Sequence, residues 1–176
     1  MDGVSNIYIE DILKPLTKHF IGVFASNQIP PELHKKQRFS IIINLSKSHE
    51  KGSHWIAIHK DKHKLIYYDS VGFPLTNSNI KSFLKKIKQD YQYNLFENQC
   101  INSKLCGFFV ILFVLLLEQD MTFVQFKNLF SKKCCQNNKI VVDLLKYTIQ
   151  NLYFYAFLQF HFFSITTLIS RGVYVG

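Results

Sequence analysis

Cys106, His54, Asp69 and Gln99 are the residues of this chain whose types and spacing could do covalent chemistry. Cys106-Gly107 stands where a polar, turn-prone segment opening at Gln99 gives way to ten consecutive apolar residues, Phe108 to Leu117. A thiol at the start of a buried helix feels the positive end of the macrodipole, which favours the nucleophilic thiolate. A histidine within hydrogen-bond reach must take the thiol proton, and a carboxylate behind the imidazole fixes its tautomer and stabilises the imidazolium. His54 and Asp69 fit those two roles. The side-chain amide of Gln99, with the backbone N–H of Cys106, fits an oxyanion site for acyl transfer, where losing one donor typically costs about a hundredfold or more in rate. Each residue alone has an ordinary explanation: a core thiol, a strand histidine among seven, a turn cap before Gly72, a loop amide. Only their conjunction carries chemistry.

That conjunction depends on the elements that must hold it. His54–His59 and Lys64–Asp69 read as two strands with Asp61-Lys62 at the centre of a hairpin turn, so that position i faces position 123 − i. His54 then lies opposite Asp69 on the same face, Cβ atoms roughly 5 Å apart. Asp-Lys is not the favoured turn dipeptide, and a slip of one residue would put Ser70 opposite His54 instead. Both faces of these strands are apolar, as for central strands covered on two sides. His54 and His59 point to opposite faces, which argues against a metal site among His49, His54, His59 and His63.

The remaining elements follow from periodicity and breakers. Residues 5–19 read as a short amphipathic helix that Pro15 ends or kinks, Phe20–Ala25 and Phe39–Leu45 as strands, and Asn79–Asp90 as a helix with Ile80, Phe83, Leu84 and Ile87 inward and Lys81, Lys85, Lys86 and Lys88 outward. Tyr93–Phe96 reads as a short strand, and Phe123–Phe130 and Asn138–Phe160 as helices.

The chain of 176 residues carries a net charge of +9, which points toward anionic partners such as DNA but says nothing about fold. Four cysteines (Cys100, Cys106, Cys134, Cys135) make neither a disulfide framework nor a zinc spacing, so a reducing compartment is expected. No secretory signal is visible at the N-terminus. Leu105–Leu117 is too short to span a membrane, and Leu152–Ile169, though long enough, carries Gln159, His161, Ser164 and two threonines, so no span is expected. One domain over 1–151, followed by an aromatic-rich extension over 152–176, is the simplest division.

Gly52-Ser53-His54-Trp55-Ile56-Ala57, Tyr68-Asp69-Ser70-Val71-Gly72-Phe73, and Gln99 seven residues before Cys106-Gly107 together resemble the adenovirus protease (adenain) family of cysteine endopeptidases, found in adenoviruses, related viruses and large DNA transposons. The likeness extends over residues 5 to 120. It implies an α+β fold, with the helix that begins at the nucleophile packed on a mixed β-sheet bearing the histidine and the acid. It also implies roles: His54 as general base and acid, Asp69 as its partner, Cys106 as nucleophile, Gln99 as oxyanion donor, with no cofactor needed for the chemistry. Adenoviral enzymes usually have Glu where this chain has Asp69, and the wider clan shares the Asp. In the clan's SUMO-processing proteases the glutamine stands six residues before the cysteine, so the spacing of seven leans to the viral branch.

The resemblance further implies viral precursor or capsid proteins as substrates, a monomer, DNA as an activator, and a site of action in the host nucleus and the virion. Family members can also be activated by a peptide joined through a disulfide, but Lys88 occupies the corresponding cysteine position, which argues against that route here. Two other functions stay open at this level: an isopeptidase for SUMO or ubiquitin-like proteins, and a non-catalytic basic DNA-binding module in which the thiol is incidental.

Overall fold

The computed structural model describes residues 3–170, and side chains as far as Phe154. Five strands form one mixed sheet in chain order: β1 (Phe20–Ala25), β2 (Phe39–Asn44), β3 (Trp55–Lys60), β4 (Leu65–Tyr68) and β5 (Tyr91–Tyr93). The outer pairs, β1–β2 and β4–β5, run parallel, while the central β2–β3 and β3–β4 pairs run antiparallel. Helices α1 (Asn6–Leu16), α2 (Ser78–Ile87), α3 (Cys106–Glu118), α4 (Phe123–Asn128) and α5 (Cys134–Ser170) complete the chain, with a 3-10 turn at Pro31–Lys35. This is the expected α+β architecture.

Strand alternation sorts the sheet's side chains into two cores. Ile42, Ala57, Ile66 and Tyr68 face α3, together with residues of α1, α4 and α5. Ile41, Ile43, Ile56, Ile58, Leu65 and Tyr67 face α2 and the 3-10 turn. The strands are therefore covered on both sides. Helix α3 is the centre of the first core: Phe109 through Leu115 are each fully buried, so the middle of the apolar run is enclosed on every side, while Phe108 and Leu116 are partly exposed. Tyr68 stacks on Phe113 at 4.7 Å between ring centroids, tying α3 to the strand that leads to Asp69. Truncating one of these buried side chains to Ala costs about 2–5 kcal/mol, so the helix that begins at Cys106 is held firmly.

The hairpin register differs from the expected one. Ala57 pairs with Tyr68 and Lys60 with Leu65, so position i faces 125 − i rather than 123 − i. The cause is local to the turn. Asp61 closes it, its N–H donating to Lys64 O at 2.9 Å, while its carboxylate accepts from the N–H groups of His63 and Lys64. Asp favours the first position of such a turn, not its centre. The centre thus moves to Lys62-His63. A shift of two in the partner preserves the face, so His54 and Asp69 still project to the same side as diagonal neighbours just beyond the paired residues.

The short strand also moves, to Tyr91–Tyr93 instead of Tyr93–Phe96. Asn94 leaves the ladder because its side chain takes the ladder's place. Its amide accepts from Asp69 N–H at 3.1 Å and donates to the carbonyls of Asp69 and Phe96. Helix α5 begins earlier than expected and runs without interruption across residue 152, and among the described residues no helix is long and apolar enough to cross a membrane. Residues 171–176 of the expected extension lie outside the described residues.

Candidate active site

Cys106 is the first residue of α3, and no side chain caps that end: Leu105 precedes it without a side-chain hydrogen bond. An uncapped helix start leaves N–H groups free for an anionic neighbour. Gly107 allows the N-terminal segment to cross directly over this turn, because a Cβ there would overlap the side chain of Val4 and press on Trp55. The Trp55 indole N–H donates to Val4 O at 3.2 Å and fixes that crossing.

His54 and Asp69 stand at the adjoining strand ends. His54 Nε2 lies 2.8 Å from Asp69 Oδ1, with the carboxylate almost wholly buried. The same Oδ1 accepts from Val71 N–H, and among the described residues the buried Oδ2 has no partner. A buried carboxylate so sparsely served by neutral donors gains most from a cation at His54. The other imidazole nitrogen, Nδ1, is left for Cys106, whose thiol interacts with the ring. Burial disfavours the charged form of His54, but its hydrogen bonds to Asp69 and Cys106, and the charges of both, prevail and raise its pKa to about 9. Burial likewise opposes the Cys106 thiolate. The hydrogen bond from His54, backbone N–H groups of Trp55 and Gly107, and the imidazolium charge outweigh it and lower the thiol below its ordinary value. The two shifts act in one direction, each favouring thiolate on Cys106 together with imidazolium on His54.

Gln99 is buried in the loop before α3, and its amide orientation is determined by its neighbours. Nε2 lies 2.6 Å from Ser103 O, a pure acceptor, so that end must be the NH2. Oε1 then accepts from Ser70 Oγ at 2.6 Å. Ser70 also binds the loop through its carbonyl, which accepts from Asn98 N–H at 2.9 Å and Gln99 N–H at 2.8 Å. Because Ser103 takes one amide hydrogen, the second remains for another acceptor.

The structure thus places His54 between Asp69 and Cys106, hydrogen bonded to the carboxylate, and sets Gln99 in the loop leading to Cys106 by way of Ser70, the residue after Asp69. The sequence reading missed Ser70, Asn94 and the backbone of Trp55. Ser70 had a usable signal, since a hydroxyl next to the acid can reach whatever packs on that strand end. Asn94 had none, because it fell within an expected strand. The expectation for the cysteines also needs correcting. Cys100 and Cys134, 34 residues apart in sequence, form a disulfide with Cα atoms 5.1 Å apart, a pairing that spacing along the chain cannot reveal.

No family model and no curated protein matches the sequence. Solved structures do match. ASFV pS273R protease aligns with a TM-score of 0.58 at 13% identity, covering 84% of this chain and 66% of that one. A selenomethionine form of it gives 0.54 at 14% identity, covering 84% and 67%. A weaker likeness is to the SUMO protease Ulp1 with its catalytic cysteine oxidised to a sulfinic acid: TM-score 0.49, 17% identity, 84% of this chain and 79% of that one. The fold is therefore that seen in pS273R protease, the expected adenain-like cysteine protease fold, and this chain spans just under two thirds of the length of pS273R.

Proposed function

We propose that the chain is a cysteine endopeptidase of the viral kind, cutting precursor polypeptides through Cys106, His54, Asp69 and Gln99. One observation carries this reading: His54 stands between a buried carboxylate and the thiol of a helix-terminal cysteine, in a state that favours thiolate and imidazolium together.

In the proposed cycle the Cys106 thiolate attacks the scissile carbonyl carbon, and the C=O π electrons move onto oxygen. The free N–H of Gln99 Nε2 and the backbone N–H of Cys106 stabilise that oxyanion. His54 gives its proton to the departing amine, the C–N bond breaks, and a thioester remains on Cys106. His54, now neutral, takes a proton from water as the hydroxyl attacks the thioester, and the acid product leaves with Cys106 again a thiolate and His54 an imidazolium. Asp69 keeps the imidazole's orientation and charge throughout.

The fold likeness to a viral protease and the seven-residue spacing from Gln99 to Cys106 support the viral branch over an isopeptidase. For DNA the support is charge alone. The exposed lysines of α2 sit on a helix that packs against the face of the sheet opposite α3. The test is cleavage of a peptide library and of a SUMO-type precursor by the full chain and by Cys106→Ala. We expect peptide cleavage that disappears in the variant; retained cleavage by Cys106→Ala would overturn the proposal, and cleavage of the precursor alone would transfer it to the isopeptidase.

A further inference from the structure

The loop that bears Gln99 is fastened to the first turn of α5 at three points. Asn137 Nδ2 donates to Asn98 O at 2.9 Å, Ser103 Oγ donates to Asn138 Oδ1 at 3.1 Å, and the third point is the Cys100–Cys134 disulfide. Cys100 follows Gln99 directly, and its carbonyl accepts from the N–H of Ser103, the same residue whose carbonyl receives the Gln99 amide. A third sulfur is present. Cys135 is a free, exposed thiol whose Sγ lies within 4.8 Å of both disulfide sulfurs. No histidine or carboxylate joins these three among the described residues, whereas a closed zinc site takes four ligands.

We propose that Cys100, Cys134 and Cys135 form a thiol–disulfide exchange site that reacts at Cys135 with small disulfides and thiols of the glutathione class, making or breaking the covalent tie between the Gln99 loop and α5. Starting from three thiols, the Cys135 thiolate attacks one sulfur of the small disulfide, RSSR. A mixed disulfide forms on Cys135 and the first RSH departs. The Cys100 thiolate then attacks Cys135 Sγ and displaces the second RSH. Finally the Cys134 thiolate attacks Cys100 Sγ, forming Cys100–Cys134 and returning Cys135 as a thiol. Two protein thiols are oxidised, one RSSR is reduced to two RSH, and the two protein protons leave on those thiols. The reverse sequence, driven by excess RSH, releases the loop. Exposure makes Cys135 the point of entry, since the other two sulfurs are partly covered. The consequence for catalysis rests on reading Gln99 as the oxyanion donor; the exchange chemistry does not.

The experiment uses the full chain carrying Cys106→Ala, so that no catalytic thiol interferes, equilibrated with reduced and oxidised glutathione and then alkylated and mapped by mass spectrometry. The expected result is reversible Cys100–Cys134 linkage, formed at least about tenfold more slowly when Cys135→Ser is added, with faster amide hydrogen exchange across residues 98–105 in the reduced chain. Linkage at an unchanged rate in the Cys135→Ser chain would overturn the proposal. So would a lasting mixed disulfide on Cys135 with both other thiols alkylated, or one equivalent of zinc retained by the reduced chain with all three thiols protected. In the chain with Cys106 intact, Cys100→Ser with Cys134→Ser should lower kcat by about tenfold with KM unchanged. Exchange without cleavage in any state would sustain the exchange site and remove the protease reading.

Discussion

Two histidines five residues apart respond to burial in opposite ways. His54 Nε2 meets a carboxylate directly, at 2.8 Å from Asp69, and its pKa is raised to about 9. His59 is more deeply buried, and its Nδ1 lies 2.9 Å from a hydroxyl, Ser40 Oγ. That hydroxyl donates onward to Glu118 Oε1 at 2.8 Å, so it accepts from the imidazole, and Nδ1 carries the proton. Burial dominates at His59 and lowers its pKa to about 4; the charges of Glu118 and Asp61 pull the other way, and those of Arg38 and His19 assist the lowering. Glu118 already accepts from His19 Nδ1 at 3.0 Å. A carboxylate one hydroxyl away thus leaves a buried imidazole neutral and structural, whereas a carboxylate in contact, with Cys106 on the other side, favours the imidazolium and suits the group to chemistry.

The largest expected effect comes from removing that contact. Asp69→Asn leaves His54 with a neutral partner, as His59 has. It should lower kcat/KM by about 10² to 10⁴ and move the alkaline limb of the pH–rate profile down from about 9. In the wild type the limbs should follow the pair: the rate should fall in acid as the thiolate is protonated, and in base as His54 loses its proton. An alkaline limb unmoved in Asp69→Asn would break the comparison.

Next in size is the Gln99 loop, the proposed oxyanion donor. Gln99→Ala should lower kcat by about 10² to 10³. Ser70→Ala, which frees the Gln99 carbonyl, should cost about tenfold in kcat with KM unchanged. The double variant should be no slower than Gln99→Ala alone, as expected when one residue acts only through the other. Independent, multiplying losses would remove Ser70 from that positioning role.

The smallest effect on activity is expected at His59, whose change should appear in stability. Its folded-state pKa of about 4 lies below the ordinary 6.5, so between those values the unfolded chain holds a proton that the folded chain refuses. The stability associated with neutral His59 is full above 6.5 and is lost as pH falls toward 4, by up to about 3 kcal/mol. His59→Gln should flatten the dependence of Tm on pH across that window while leaving kcat near wild type. An equally steep dependence in the variant would locate the acid sensitivity elsewhere.

What the sequence made legible was whatever depends on order and alternation. The buried helix after Cys106 follows from an apolar run bounded by a polar loop, and the shared face of His54 and Asp69 survives a register error because strand parity changes only with odd shifts. The error itself came from the turn, where the Asp61 carboxylate, binding two backbone N–H groups, selects the centre more strongly than the strand pattern does. Ser70, Asn94 and the Cys100–Cys134 link were illegible for a different reason. Each depends on a side chain reaching a segment some 25 to 34 residues away, which no local period encodes.

The central claim is that Cys106 and His54 form a thiolate–imidazolium pair at neutral pH. Its most direct test is the rate of iodoacetamide alkylation at Cys106, followed by mass spectrometry of its peptide against pH, in the wild type and in His54→Ala. The wild-type thiol should already react as a thiolate well below its ordinary pKa near 9, and His54→Ala should push that reactivity up toward the ordinary value. A Cys106 whose alkylation begins only near pH 9 in both proteins would contradict the account.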